Sequence, residues 1–202
     1  MRLILKNIVS NVLSFIVSAV IPIVITPFLI HRLGDSHYGL WILISSVIGY
    51  YGILDLGIAF SSVRYVSKYV ATGDEKNLNG FINTVLIIFV LIGIVAIIIS
   101  GVLYLFLTKL FTLSEEDVKL FSQLLLILGS AFALSLPARI FNSMLKAIQR
   151  YDIANIIDIS CSFIQTGMVV YFISCGGGLI ALGLITLFVK FIGGLFSLIF
   201  AI

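Results

Sequence analysis

Charge is scarce in this sequence. Of 202 residues only 10% are charged, with 12 basic and nine acidic side chains, against about a quarter in an ordinary soluble domain. So few charges cannot cover the surface of a water-soluble fold of this size. Histidine and cysteine each occur twice and proline three times. His31 and His37 are too isolated for a metal site, and no Cys/His cluster has ligand spacing. Cys161 and Cys175 fall inside or at the end of one apolar segment. They read as small apolar residues, with no structural disulfide expected. There is no glycine-rich phosphate loop followed by lysine and no serine nucleophile elbow. The glycine triplet 176–178 has no strand before it and reads as a turn. These absences predict no enzyme, no metal and no cofactor. No basic face or recognition module is present either, which argues against a nucleic-acid partner.

What is present is apolar. The chain is 61% hydrophobic, and its charges are separated by long uncharged runs, one of 32 residues from Asn77 to Thr108 and one of 31 from Ile159 to Val189. A helix needs about 20 mostly apolar residues to cross a bilayer core. The pattern therefore predicts an all-α, polytopic membrane protein with about six transmembrane helices, over residues 8–30, 40–61, 81–107, 120–136, 153–174 and 179–202. Arg2 and Lys6 precede the first run as they would in a secretory signal. That run extends to about Ile30, too long for a signal core, and reads as the first span. Pro22 and Pro27 are expected to bend it. Gly34 and Gly39 supply turn conformations before the second span, which opens with the interfacial Trp41. Arg64 and Lys68, four apart, continue helical spacing until Gly73 offers a stop. Ser114 is expected to cap the fourth helix, with acidic residues in its first turn. Pro137 follows the fourth span. The amphipathic stretch from Arg139 to Tyr151 reads either as the emerging end of a long helix or as a short helix on the membrane surface. The chain stops inside an apolar stretch, so it is expected to be a fragment of a longer protein, the alternative being a natural six-span protein with a bare end.

Six spans put both ends on one side. With a cytoplasmic N-terminus, the inner segments carry Arg2, Lys6, Arg64, Lys68, Lys76, Arg139, Lys146 and Arg150, and the outer ones Arg32, Lys109 and Lys119. Eight bases against three is the expected positive-inside bias.

Three ionisable groups fall within predicted spans: Asp55, Asp158 and Lys190. A charge at mid-depth costs at least about 2.5–3.5 kcal/mol on insertion scales. Such a group therefore faces a bundle interior or a watery cavity. Asp55 and Asp158 either pair with Arg64 or another inner base, or serve a polar path. Lys190, near the middle of the last span, either pairs with a carboxylate on a neighbouring helix or attracts an anionic substrate. Arg32 and Arg64, at the two mouths, are further candidates for the same task, or ordinary loop charges.

Asn11 and Ser14 open the first span, which holds Pro22 and Pro27; Leu33-Gly34 and Tyr38-Gly39-Leu40-Trp41 follow, then Asp55-Leu56-Gly57, Arg64 and Lys146-Ala147-Ile148-Gln149-Arg150. In this order and spacing the chain resembles the N-terminal half of bacterial polysaccharide and O-antigen flippases, of the multidrug/oligosaccharidyl-lipid/polysaccharide exporter superfamily. The resemblance covers most of the chain. It implies one lobe of a 12–14 helix transporter in the bacterial cytoplasmic (inner) membrane, with a C-terminal lobe as partner. It further implies translocation of undecaprenyl-diphosphate-linked oligosaccharide to the outer leaflet, among membrane lipids and alongside polysaccharide polymerase and chain-length proteins. On this resemblance Lys190 and Arg64 would engage the anionic lipid-linked sugar, and Asp55 and Asp158 would couple transport to a proton or sodium gradient. Gly34, Gly39, Gly57 and the prolines would serve bends and close approaches. A multidrug exporter of the same superfamily is the nearest alternative. A membrane-embedded glycan polymerase or ligase would need a large polar loop or a catalytic cluster, and a non-catalytic membrane subunit would tolerate neutral replacement of Lys190.

Overall fold

The computed structural model describes residues 2–110 and 115–201, with side chains described over 5–106 and 116–201. The described residues form helices and turns, with no strand among them. The helices are α1 (Arg2–Leu33), α2 (Asp35–Tyr50), α3 (Ile58–Thr72), α4 (Glu75–Leu110), α5 (Glu115–Ala147), α6 (Tyr151–Ser174) and α7 (Leu179–Ala201), with a 3-10 segment at Tyr51–Asp55 between α2 and α3. Six stretches are long and apolar enough to cross a membrane, with α2 and α3 together making the second. At 1.5 Å per residue, α4 and α5 are about 50 Å long and exceed the hydrocarbon thickness.

Local signals account for most of the ends. Gly34 (φ 80°) turns α1 into α2, and Gly73 (φ 66°) closes α3. There the amide of Asp74 donates to the carbonyl of Tyr69 at 3.1 Å, satisfying an end carbonyl in the usual glycine-terminated way. Gly176 (φ 87°) does the same between α6 and α7, in the turn expected from the glycine triplet. The expected Ser114 cap lies outside the described residues.

Two features differ from the sequence expectation, at Gly39 and in the second crossing. Pro22 and Pro27 both lie inside α1. Pro137 lies inside α5, so the fourth span and the amphipathic stretch to Ala147 form one 33-residue helix, the first of the two readings the sequence left open. A proline removes one amide and crowds one carbonyl, which a membrane helix tolerates where neighbours re-satisfy the freed group. α5 is packed on several sides, against α7, α4, α3 and α2. Gly39 is helical within α2 and forms no turn, because the left-handed Gly34 alone reverses the chain. The second crossing is two helices, with the break at 51–57 where a continuous span was expected.

The surface is apolar. Phe15 is 74% and Ile23 72% exposed on α1, far more than a water-facing helix would show. The largest core cluster lies at the end carrying the α1–α2 and α6–α7 turns. It includes Leu29, Ile44, Phe121, Leu124, Leu125 and Leu182. Smaller clusters join α4 to α5 around Phe89 and Leu136, and the opposite ends of α5 and α6 around Leu145 and Ala154. α7 approaches α5 closely, since a Cβ on Gly183 would lie 3.0 Å from Leu124 and one on Gly194 would lie 3.0 Å from Ala138. Small residues at such crossings let membrane helices pack by van der Waals contact.

Candidate functional site

Below the large apolar cluster, in the half of the bundle that carries the N-terminus, α1, α3, α5, α6 and α7 surround a cavity of about 650 Å³. Three helices present a polar or small stripe to it at helical spacing. α5 supplies Arg139, Asn142, Ser143 and Lys146; α6 supplies Asp158, Cys161, Ser162 and Gln165; α7 supplies Lys190, Gly193, Gly194 and Ser197. Each set falls at i, i+3, i+4 and i+7, one face of a helix. α1 adds Ser14 and Ser18, and the break in the second crossing adds Asp55 and Gly57.

The charges fall into two groups. Asp55 Oδ2 accepts from Arg139 Nη1 at 2.9 Å, and Asp55 Oδ1 accepts from the amide of Ala59 at 3.2 Å. Arg139 also lies over the Phe132 ring, 5.4 Å from its centroid. The partner of Asp55 is therefore Arg139, not Arg64. Asp158 lies within the field of both Lys146 and Lys190. Among the described residues it makes no ion-pair contact with either. Three cations thus face two carboxylates, and one of those carboxylates is already engaged. Such a wall can hold a multivalent anion between Lys146 and Lys190. Among the described residues no group of three or more His, Cys, Asp or Glu is placed to hold a metal ion.

The structure brings Asp55, Gly57, Asp158 and Lys190 of the sequence candidates to this one cavity. Arg64 is exposed on α3 and does not line it. Arg32 lies at the far end of α1, beyond the apolar cluster, stacked 5.9 Å from the Phe28 ring centroid. Sequence reasoning counted Arg139 and Lys146 among inner-segment charges, whereas both line the cavity from within α5. It also missed Asn155, whose buried side chain donates to Ser10 and Asn11. A smaller pocket of about 310 Å³ near the ends of α1, α3 and α5 shares Lys146 with the main cavity.

An apolar exterior, a charged interior and six long apolar helices define a multi-pass α-helical membrane protein. The chain is 27% identical over 88 residues to a protein of Bacillus subtilis (strain 168) named "Uncharacterized membrane protein EpsK", a match that covers 44% of this chain and 17% of that relative. No protein-family model matches the chain, and no solved structure matches it.

Proposed function

We propose that this chain is one lobe of a flippase that carries undecaprenyl-diphosphate-linked oligosaccharide from the inner to the outer leaflet of the bacterial cytoplasmic membrane, and that it performs no covalent chemistry. The observation that carries this reading is the cationic cavity. Arg139, Lys146 and Lys190 face it, and apolar packing closes it toward the α1–α2 turn. A diphosphate headgroup is too costly to desolvate in bare hydrocarbon, and needs charge partners along a shielded path. Lys146 and Lys190 would hold the diphosphate, and the serines, Asn142 and Gln165 would meet sugar hydroxyls.

A positive-inside orientation puts the N-terminus, and with it the open half of the cavity, in the cytoplasm. A second lobe would cover the cavity's side and complete an alternating-access pair. Of the two carboxylates, Asp158 is the better candidate for proton or sodium coupling, because Asp55 is engaged by Arg139 and Ala59. The test replaces Lys190 and, separately, Lys146 by alanine in the full-length protein. Surface polysaccharide is expected to be lost while membrane insertion is retained. Normal polysaccharide at normal expression would overturn the reading. Lys190→Arg, which keeps the charge, should retain most export.

A further inference from the structure

The second crossing breaks in the wall of the cavity at two consecutive left-handed residues, Leu56 (φ 48°) and Gly57 (φ 76°). Glycine adopts this conformation freely, but a leucine does so rarely and under strain. Leu56 is 82% exposed, so packing of its own side chain does not hold it there. Two contacts from α5 hold the segment instead. Arg139 grips Asp55 at 2.9 Å, and one helical turn further along α5 Ser143 Oγ shares its one proton between the carbonyl of Ala59 at 2.9 Å and that of Arg139 at 2.8 Å. Asp55 in turn accepts from the Ala59 amide and so ties the break to the start of α3.

We propose that the Asp55–Arg139 pair is a latch that keeps this break in its strained form, and that an anion entering the cavity opens it by drawing Arg139 away. The latch rests on the anionic-cargo reading for its trigger. Arg139 and Lys146 lie seven residues apart on one face of α5, so an anion held by Lys146 and Lys190 sits on the same wall as Arg139. The guanidinium has five donors and prefers a phosphate it can meet with two of them. Its side chain is 33% exposed and so open to such an exchange. Once Arg139 turns to the anion, Asp55 keeps only its bond to Ala59; Ser143 still anchors the start of α3, but among the described residues nothing on α5 holds the residue before Leu56, whose strain is then free to relax. The bend between α2 and α3 then reports whether the cavity is occupied. Arg139 acts here as a positioning residue for the hinge.

The test follows amide hydrogen exchange across residues 50–62 in the full-length protein in lipid nanodiscs, with inorganic pyrophosphate as probe and its binding measured in parallel. Without probe, Arg139→Gln and Asp55→Asn should each raise exchange in this segment by about tenfold, and Arg139→Lys by much less. Asp55→Asn keeps the side-chain shape and the Ala59 bond, and serves if Arg139→Gln does not fold. Pyrophosphate should raise exchange in the wild type by a similar factor. It should add nothing in Arg139→Gln, and should fail to act in Lys146→Ala and Lys190→Ala, which stay latched. A pair of purely structural value would give no response to the probe. Unchanged exchange in both latch variants overturns the latch whatever the cargo. Bound pyrophosphate with a silent hinge overturns the trigger and leaves the cargo reading intact. No binding, with hinges that open in both variants, overturns the cargo reading and the trigger with it.

Discussion

Asn155 on α6 donates its side-chain amide to Asn11 Oδ1 at 2.6 Å and to Ser10 Oγ at 2.9 Å on α1. Near it Lys6 pairs with Asp152 at 2.8 Å, and Asn7 donates to the carbonyl of Gln149 at 3.1 Å. α1 packs chiefly against α6, so these contacts fix the helix that forms one cavity wall. Asn155 is buried, whereas the Lys6 side chain is 63% exposed. Asn155→Ala should therefore lower stability by about 1–2 kcal/mol, and Lys6→Ala by less than about 0.5 kcal/mol. Reversible unfolding in mixed micelles measures both. Equal effects would contradict this ranking.

The two cysteines report on opposite ends of the bundle. Cys161 lines the cavity, and Cys175 is exposed in the α6–α7 turn beyond the apolar cluster. On the proposed orientation, with the N-terminus in the cytoplasm, a membrane-impermeant, charged thiol reagent added outside intact cells should label Cys175 and leave Cys161 untouched. Added to inverted vesicles, it should reach Cys161 through the cavity and miss Cys175. Labelling of Cys161 from outside at a rate comparable to Cys175 would mean that the apolar cluster does not close the cavity on that side.

The six crossings are legible in the sequence because uncharged runs of more than 20 residues have few other uses. Asp55, Asp158 and Lys190 are legible for a related reason, since a charge at depth needs a polar surrounding, and the cavity supplies one. Arg139 and Lys146 escaped because a base near the end of an apolar run looks like a loop charge. Their stripe with Asn142 and Ser143 is the signal that identifies them, and the parallel stripes beginning at Asp158 and Lys190 strengthen it. The break at Leu56 had a weaker signal. A left-handed leucine carries no mark in composition; only its neighbour Gly57, placed among the bends by the resemblance, pointed to this place. Arg32 and Arg64 sit where water is near, so their charge says little about position.

Asp74 caps α4 and makes that end sensitive to pH. Its Oδ2 accepts from the Asn77 side-chain amide at 2.6 Å and its Oδ1 from the Asn77 backbone amide at 3.1 Å. The side-chain bond first, then the backbone bond, hold the Asp74 carboxyl below the ordinary carboxylate range. A folded pKa below the unfolded one means that the cap is fully effective above the unfolded value of about 4. Its contribution is then lost as pH falls through the lower folded value. Protection of the Asn77 amide against hydrogen exchange should be level from about pH 7 to 5 and collapse in more acid solution. Asp74→Asn should remove this dependence. A wild-type profile as flat as the variant's would refute the cap.

Gly129 lets α5 meet α4. A Cβ placed there would collide with Ser100 Oγ and lie 3.2 Å from Ser100 Cβ. Ser100 is buried and already committed, since its hydroxyl pairs with Tyr51 at 2.9 Å and with the Ala96 carbonyl at 2.9 Å. It cannot swing aside without leaving Tyr51, next to the break in the second crossing, unpartnered. Gly129→Ala should therefore cost about 1–3 kcal/mol, the usual penalty of overpacking. Ser100→Ala removes the colliding hydroxyl and leaves only the tight carbon contact. The double variant should then be more stable than Gly129→Ala alone, although Ser100→Ala by itself is destabilising. Thermal unfolding of the four proteins in one detergent closes the cycle. Additive losses would mean that the two helices do not touch at this point.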